Sequence, residues 1–401
     1  MACNRKRKTL MGPDWSDLPQ ELVISIANRI AFMEDFAAFG AVCKPWRLVA
    51  TKENFTGRLS HPFLMLPGED GAAIREFYSF TKDKVQKVNL PEAEGKLLCY
   101  CSGWLITLEG LKFTLLHPFN RAQIKLPDFR DSEGRLSPTN MSHFHTVKKF
   151  VLSSNPSWTS DFAIMVLYDH KNLAFCKPRE HKYWTSMVLE EHPLDITCYK
   201  GRFYAMCYNE VLVFDIENPK QAKTRVVVQA SLRRRVHGSF GTKTYMVESA
   251  GDLLVVFSYG DIYRQAPSFR VSKVLRDGKR PSKLEVKDLG NRTLFLGDNN
   301  SSFSVMASDY GCKPNCIYFF SCIYRQYIYL EWGDWLVRSK ENINMGIFHM
   351  EDGRFEQHFG SPSFALKEAK FPTFGTPCFW IQPSSRRRNP LATLKNKAVN
   401  P

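Results

Sequence analysis

Long apolar runs are missing from this 401-residue sequence. The longest uninterrupted one, residues 162–168, falls far short of the ~20 residues with which a helix crosses a bilayer. A membrane-spanning helix is therefore not expected. Since 44% of the residues are hydrophobic and 13% are aromatic, the chain has ample material for a packed core, which excludes a wholly disordered protein.

Signatures of catalysis are equally scarce. Residues 238–241 read Gly-Ser-Phe-Gly, which is not the Gly-x-Ser-x-Gly elbow of serine hydrolases. No glycine-rich loop ends in Gly-Lys followed by Ser or Thr, as phosphate-binding loops do. We therefore expect a protein that is not an enzyme and that carries no cofactor.

Cysteine is present, but not in the spacing of a metal site or a disulfide scaffold. The eleven cysteines, an odd number, are scattered from Cys3 to Cys378. Neither the pair Cys99 and Cys101 nor the group at 312, 316 and 322 has the Cys-x2-Cys pattern of zinc sites, and His-x-His at 143–145 follows a turn signal. We interpret the cysteines as small buried hydrophobes in a reducing compartment, and we expect no metal.

Positive charge is concentrated at the two ends. Lys and Arg number 55 against 40 Asp and Glu, a formal net charge of +15. Nine of those charges lie in residues 1–13 and 384–401, which lack apolar periodicity and are expected to be disordered basic tails. The nearly balanced body has no basic stripe interleaved with aromatics, so we do not expect a nucleic-acid binder. Candidate nuclear-import residues in the tails are Arg5, Lys6, Arg7, Lys8, Arg386, Arg387 and Arg388. The expected location is the nucleus, the cytoplasm or both.

Residues 17–56 read as three short helices. Leu22, Ile26 and Ile30 recur every four residues and mark one apolar stripe. Three short helices cannot bury such a stripe alone, which predicts a partner or support from the rest of the chain. Asp17 and Gln20 have the spacing of a capping box, which predicts the start of the first helix. We expect the second helix to start at Asp35 and the third at Pro45.

From about residue 75 to 382 the chain reads as short strands. Alternation over 203–208 followed by 211–214 predicts a hairpin. Similar pairs lie at 77–80 with 85–90, 104–107 with 114–116, 244–249 with 253–259, and 346–349 with 354–358. About 24 such strands need closure to remove exposed edges, and four strands per blade would give a six-bladed β-propeller. A pair of large β-sandwiches remains the alternative, and the strand around 379–381 is a candidate to pair with the first blade.

The residue spacing within 14–58 resembles an F-box. The segment carries Leu-Pro-x-Glu-Leu at 18–22 and Val-Cys-x-x-Trp-Arg at 42–47. This resemblance implies docking on a helical adaptor of the Skp family through Leu18, Pro19, Leu22, Ile26, Val42 and Cys43, with Trp46 joining the motif to the following domain. Small residues at 37, 38, 40 and 41, and Pro45 before the tryptophan, depart from the pattern and put the strength of adaptor binding in question.

The region 70–383 resembles the KIB-type β-propeller of plant F-box proteins. The matching motifs include Cys-Ser-Gly-Trp at 101–104, Gly-Arg-Phe-Tyr at 201–204, Leu-Phe-Leu-Gly at 294–297, Gly-Cys-Lys-Pro-Asn-Cys at 311–316 and Trp-Ile-x-Pro at 380–383. The expected fold is a small all-α F-box of three helices followed by a large all-β domain, a propeller of six blades.

The two resemblances together imply a substrate receptor of a Skp–cullin–F-box ubiquitin ligase. Such a receptor binds the adaptor, and through it cullin and RING subunits, and directs a target protein to ubiquitination and proteasomal degradation. The alternative is a non-degradative propeller scaffold or inhibitor that binds a signalling protein, which the small residues at 37, 38, 40 and 41 motivate. The sequence does not identify the substrate-binding residues.

Overall fold

A computed structural model gives the fold. It describes residues 15–30, 33–51, 54, 62–66, 72–79, 83–130, 147–168, 171–207, 210–216, 224–229, 243–259, 268–274, 283–297, 302–322, 328–329, 335–336, 343–357 and 379–382. The predicted tails 1–13 and 384–401, with all seven import candidates, lie outside these residues, as do 143–145 and 238–241. The chain divides into two compact units, the second of which runs from His61 to Pro383. No helix within the described ranges is long and apolar enough to span a membrane.

Three short helices form in the first unit, as predicted. They are α1 (Gln20–Ala27), α2 (Met33–Ala41) and α3 (Lys44–Val49), and a 3-10 turn at Trp15–Asp17 precedes them. Their shared core consists of Val23, Ala27, Phe36, Phe39 and Val49. The core is small because each helix has only about two turns to contribute, so much of the apolar surface stays outside it.

The predicted capping box does not form. Pro19, with ψ of 140°, caps α1, and no side chain caps this helix end. The Pro19 carbonyl accepts the N–H groups of Leu22 and Val23 at 2.9 and 3.1 Å, so α1 starts at Gln20 and leaves Asp17 in the 3-10 turn. The prediction for Pro45 is confirmed, because this residue lies in the first turn of α3, where a missing N–H costs no helical bond.

The second unit is a six-bladed β-propeller, which replaces the alternative of two β-sandwiches. Four blades are antiparallel sheets of four strands that follow each other along the chain. Blade 2 contains β4 (Leu97–Cys101), β5 (Trp104–Glu109), β6 (Lys112–Leu116) and β7 (Gln123–Lys125). Blade 3 contains β8 (Val147–Leu152), β9 (Ile164–Tyr168), β10 (Asn172–Cys176) and β11 (Thr185–Val188). Blade 4 contains β12 (Asp195–Tyr199), β13 (Arg202–Met206), β14 (Glu210–Phe214) and β15 (Thr224–Gln229), and blade 5 contains β16 (Lys243–Ser249), β17 (Asp252–Tyr259), β18 (Ser268–Val274) and β19 (Lys283–Val286).

Blade 1 closes the ring by combining strands from both ends of the unit. It contains β1 (Phe63–Met65), β2 (Ile74–Ser79) and β3 (Lys84–Asn89), together with β27 (Phe379–Ile381). Strand β27 pairs antiparallel with β1, Trp380 opposite Leu64, which confirms the candidate pairing of 379–381. The Trp380 Nε1–H also donates to the Leu296 carbonyl of blade 6 at 2.8 Å, so the last strand is held on both sides.

Blade 6 departs from the four-strand pattern. It contains β20 (Arg292–Gly297), β21 (Phe303–Met306), β22 (Cys316–Cys322), β25 (Ile343–His349) and β26 (Phe355–Gln357), in the order β21-β20-β22-β25-β26. A short helix, α4 (Ala307–Tyr310), lets the chain return so that β22 runs parallel to β20. A small hairpin, β23 (Ile328–Tyr329) with β24 (Trp335–Leu336), lies between β22 and β25.

Apolar layers between neighbouring blades form the core of the propeller. Because side chains alternate across a strand, each blade presents one apolar face to each neighbour. Between blades 2 and 3, for example, the rings of Phe113, Phe129 and Trp184 contact one another at 5.1 to 6.0 Å. The same layer includes Cys101 of β4 and Leu152 of β8, so it extends to the first strand of each of these two blades.

Candidate functional site

The six predicted adaptor residues of the helical unit differ in exposure. Leu22 and Val42 are 51% and 58% exposed although both are apolar, and Pro19 is exposed as well. The remaining three, Leu18, Ile26 and Cys43, are half-buried, and the first two pack against the helical core. The unit therefore presents apolar side chains that its own core does not cover, while their role in adaptor binding stays a prediction.

Three further exposed apolar residues were not singled out by the sequence pattern. Leu48 is 78% exposed, and Trp15 and Ile24 are exposed too. Ile24 was missed because it lies off the four-residue stripe of α1. Leu48 directly precedes the buried Val49, so only the packing of α3 decides which of the two faces outward.

Trp46 has its described contacts within the helical unit. Its ring stacks on Phe39 with centroids 4.7 Å apart, and its Nε1–H donates to the Trp15 carbonyl at 3.1 Å. These contacts tie α3 to α2 and to the 3-10 turn. The predicted role of Trp46 in joining the motif to the following domain stays a prediction.

Gly40 explains one of the small residues that depart from the F-box pattern. It lies where α2 meets α3, and a Cβ added there would be 2.7 Å from the Cβ of Ala50. Real Cβ atoms do not approach so closely, so this crossing requires glycine. The close contact between these helices therefore explains why position 40, where the F-box pattern has a bulkier residue, is a glycine.

In the propeller, the central strands of blades 2 to 5 are β4, β8, β12 and β16, and β21 takes this place in blade 6. Two-residue turns connect the central strand to the next one in blades 2, 4 and 5, at 102–103, 200–201 and 250–251. Both residues of each turn have positive φ, for instance 48° and 90° at Ser102 and Gly103, as hairpins with a matching twist require. We call the end of the channel where these turns lie the hairpin end.

Side-chain hydrogen bonds join neighbouring blades at the hairpin end. The Tyr100 hydroxyl of blade 2 accepts the N–H of Gln382, which directly follows β27, at 2.7 Å. Between blades 2 and 3, the Asn155 amide accepts from Trp104 Nε1 and donates to the Ser102 carbonyl, both at 3.1 Å. Further links of this kind are Cys198 to Ser153 between blades 3 and 4, Tyr199 to Gly251 between blades 4 and 5, and Ser249 with Arg292 and Ser304 between blades 5 and 6. The hairpin end is therefore a cross-linked rim.

A buried ion pair joins three blades further along the channel. Lys149 of β8 lies 2.6 Å from the Asp195 carboxylate of β12. The same carboxylate accepts the N–H of Ile196 at 2.8 Å and that of Met246 in β16 at 2.6 Å. One acidic side chain thus links blades 3, 4 and 5.

A partly open polar cavity of about 60 Å³ adjoins the rim. Its described lining residues are Tyr100, Cys101, Ser102, Lys149, Phe150, Val151, Thr197, Ser302, Phe303 and Gln382. They come from blades 2, 3, 4 and 6 and from the segment that follows β27. The cavity therefore exists only when the ring is closed.

Thiols near the channel are poor candidates for chemistry. Burial raises the pKa of Cys101 to about 11 and that of Cys99 to about 12, so both are protonated at neutral pH. Both side chains lie in the core between blades 2 and 3. Their interpretation as small buried hydrophobes is confirmed.

Comparison with known proteins gives relatives from Arabidopsis thaliana. F-box protein At2g26160 is 26% identical over 344 residues, which cover 77% of this chain and 95% of that protein. Putative F-box protein At3g25750 is 26% identical over 371 residues, with 86% and 93% covered. F-box protein SKIP23 is 24% identical over 440 residues, with 96% and 100% covered.

A family model described as KIB1-4 beta-propeller matches residues 77–349, more than half of the chain. The match begins within β2 and ends at the last residue of β25, so it spans strands of all six blades. The chain therefore belongs to the KIB1-4 beta-propeller family.

Proposed function

We propose that this protein is the substrate receptor of a Skp–cullin–F-box ubiquitin ligase. The observation that carries the proposal is the exposure of Leu22 and Val42 on a helical unit whose own core leaves them uncovered. Exposed apolar patches on small folded units are typical of protein interaction sites. Relatives named F-box proteins, aligned over most of their length, support the same role.

The mechanism we propose is proximity. The helical unit binds a Skp-type adaptor and, through it, cullin and RING subunits, while the propeller holds the target protein. Tethering raises the effective concentration of the target near a recruited ubiquitin-conjugating enzyme, which supplies all of the chemistry. The receptor contributes no catalytic residue and works in the nucleus, the cytoplasm or both, with the basic residues of 1–13 and 384–401 as the signals for import receptors.

Co-purification with a Skp-type adaptor tests the proposal. The double variant Leu22→Asp, Val42→Asp is preferable to changes at Leu18, because Leu18 packs against the helical core and its loss would also weaken the fold. Two charges in an apolar interface should reduce adaptor retention by about tenfold or more. Leu284→Asp is the matched control, since this leucine of β19 is also exposed by more than half.

The proposal fails if the folded, unmodified protein retains no adaptor, or if the double variant retains as much as the control. Target abundance separates a receptor from a non-degradative scaffold. Blocking the proteasome should make a receptor's target accumulate, whereas the partner of a scaffold or inhibitor should stay at the same level.

A further inference from the structure

Among the described connections between a central strand and the next one at the hairpin end, that of blade 3 differs from those of blades 2, 4 and 5. Blades 2, 4 and 5 use two-residue turns there, but residues 153–163 form a longer loop between β8 and β9 of blade 3. Within it, Asn155 accepts the N–H of Ser157, Thr159 accepts the N–H of Asp161, and Ser153 accepts the N–H of Ala163, at 2.8 to 3.0 Å. The loop is therefore ordered by its own side chains.

This loop presents Trp158 at the surface. Trp158 is 47% exposed, which is unusual for a residue with so large an apolar side chain. The backbone N–H of Trp158 donates to the carbonyl of Asn155. The side-chain amide of Asn155 is itself hydrogen-bonded to Ser102 and Trp104 of blade 2. An exposed tryptophan on a rigid support loses little entropy when it binds, which is the property of an interface anchor.

The polar cavity opens beside this loop, because Ser102 both lines the cavity and accepts the bond from Asn155. Its described lining includes one cation, Lys149, and no carboxylate. Lys149 has three N–H donors, of which Asp195 takes one, and the hydroxyls of Thr197 and Ser302 are further donors. The volume of about 60 Å³ has room for a small polar head group that displaces water.

Charges of both signs lie at the same end. Lys200 and Arg202 flank the turn of blade 4, and the half-buried Arg292 lies at the rim. Asp161 and Glu248 are exposed, and Asp252, which pairs with Lys273, follows the turn of blade 5. The preference therefore comes from the cavity, whose described lining offers donors and no carboxylate, and which suits a carboxylate better than a basic group.

We propose that the hairpin end binds an acidic peptide segment of a partner protein. A Glu or Asp carboxylate of that segment enters the cavity toward Lys149 and Thr197, and a neighbouring apolar residue packs on Trp158. The inference rests on the proposed receptor function only in taking the partner to be the degradation target. The surface itself is defined without the helical unit.

A random peptide library displayed on phage and selected on the full chain tests this surface. Enriched peptides should share a Glu or Asp beside an apolar residue. In a fluorescence-anisotropy titration, replacing that acid by its amide should weaken binding by about tenfold, as should Trp158→Ala in the protein. Trp15→Ala, at an exposed tryptophan of the helical unit, should leave the affinity unchanged.

A second variant keeps the test valid if Trp158→Ala disturbs the loop. Thr197→Val removes one cavity hydroxyl without changing size, and its matched control is Thr185→Val in the outer strand β11. The inference is overturned by selection of basic peptides, by the absence of enriched peptides, or by unchanged affinity of the Trp158 and Thr197 variants relative to their controls. Adaptor co-purification is measured separately, so a failure here is distinguishable from a failure of the receptor proposal.

Discussion

The ammonium of Lys149 lies 2.6 Å from the carboxylate of Asp195, and both side chains are buried in the wall of the channel. The pair connects blades 3 and 4, and the bond from Met246 N–H to the same carboxylate adds blade 5. The apolar layers between blades are not directional. This carboxylate accepts three directed hydrogen bonds and therefore fixes the relative position of three central strands.

Removing this carboxylate should be costly. Asp195→Ala leaves a buried ammonium and two strand N–H groups without their acceptor, and we expect a loss of about 3–5 kcal/mol in the free energy of unfolding. Urea denaturation of the full chain measures it. Asp252→Ala is the control, because its ion pair with Lys273 is about one-third exposed and should contribute less than about 1 kcal/mol. Equal losses for the two variants would contradict the structural role of Asp195.

Tyr100 should contribute to ring closure through its hydroxyl. This oxygen accepts the N–H groups of Gly103 at 2.8 Å and Gln382 at 2.7 Å. Tyr100→Phe removes the acceptor from both, and we expect a loss of about 1–3 kcal/mol in thermal or urea unfolding. Tyr183→Phe, at a partly exposed ring, should change stability by less than about 0.5 kcal/mol. A Tyr100 variant as stable as this control would show that the hydroxyl is dispensable.

His117 predicts a pH dependence of stability. Burial lowers the pKa of His117 to about 4, and its Nδ1 accepts the N–H groups of Phe119 and Asn120. In the unfolded chain the pKa returns to about 6.5, so the unfolded state binds the proton first as the pH falls. The contribution of neutral, buried His117 to the free energy of unfolding is therefore complete above pH 6.5 and is lost as the pH falls toward 4.

We expect about 2 kcal/mol of stability to disappear between pH 7 and pH 5 because of His117 alone. His117→Gln keeps an acceptor but cannot be protonated, so its unfolding free energy should fall less over this interval. Urea titrations at the two pH values measure the difference. His181→Gln is the control. The prediction is wrong if the unfolding free energy of the His117 variant falls as much between pH 7 and pH 5 as that of the unmodified protein.

The protein should be more stable with glycine than with alanine at position 40, although alanine is usually preferred over glycine in helices. Ala gains about 1 kcal/mol over Gly in a helix interior, but here its Cβ would lie 2.7 Å from that of Ala50. Overpacking of this kind costs about 1–3 kcal/mol, so the net change of Gly40→Ala should be destabilising. The thermal stability of the full chain, measured by circular dichroism, and the amount of adaptor retained should both decrease. Ala37→Ser, on the exposed side of α2, should leave both unchanged.

The strand pattern predicted much of the propeller because short alternating strands carry their own signal. The hairpin expected over 203–214 forms with Phe203 opposite Phe214, and the pairs at 104–116 and 244–259 form as well. The number of blades followed from the number of strands. The parallel pairing of β20 with β22 could not be predicted from the sequence pattern. It depends on α4, which reverses the chain between β21 and β22, and the strands on either side of α4 have the same pattern as those of an ordinary hairpin.

The candidate sites differ in how far the sequence alone could predict them. The F-box spacing singles out Leu22 and Val42, and both are exposed. The expected capping role of Asp17 is wrong, because the Pro19 carbonyl already accepts the first helical N–H groups. Nothing in the sequence pointed to the cavity. Its lining residues, from Tyr100 to Gln382, are 282 positions apart at the extremes and meet only in the closed ring.

The sequence by itself determined the composition of the two units: three short helices with more apolar surface than they can bury, and strands with alternating faces. These are local properties, fixed by residue type and by periods of 3.6 and 2. Only the tertiary structure decided which apolar residues stay exposed, how β27 closes blade 1, and how the cavity with Lys149 and Thr197 comes to lie beside the loop that carries Trp158. Those relations arise between segments far apart in the chain, where packing and directed hydrogen bonds, rather than local preference, set the geometry.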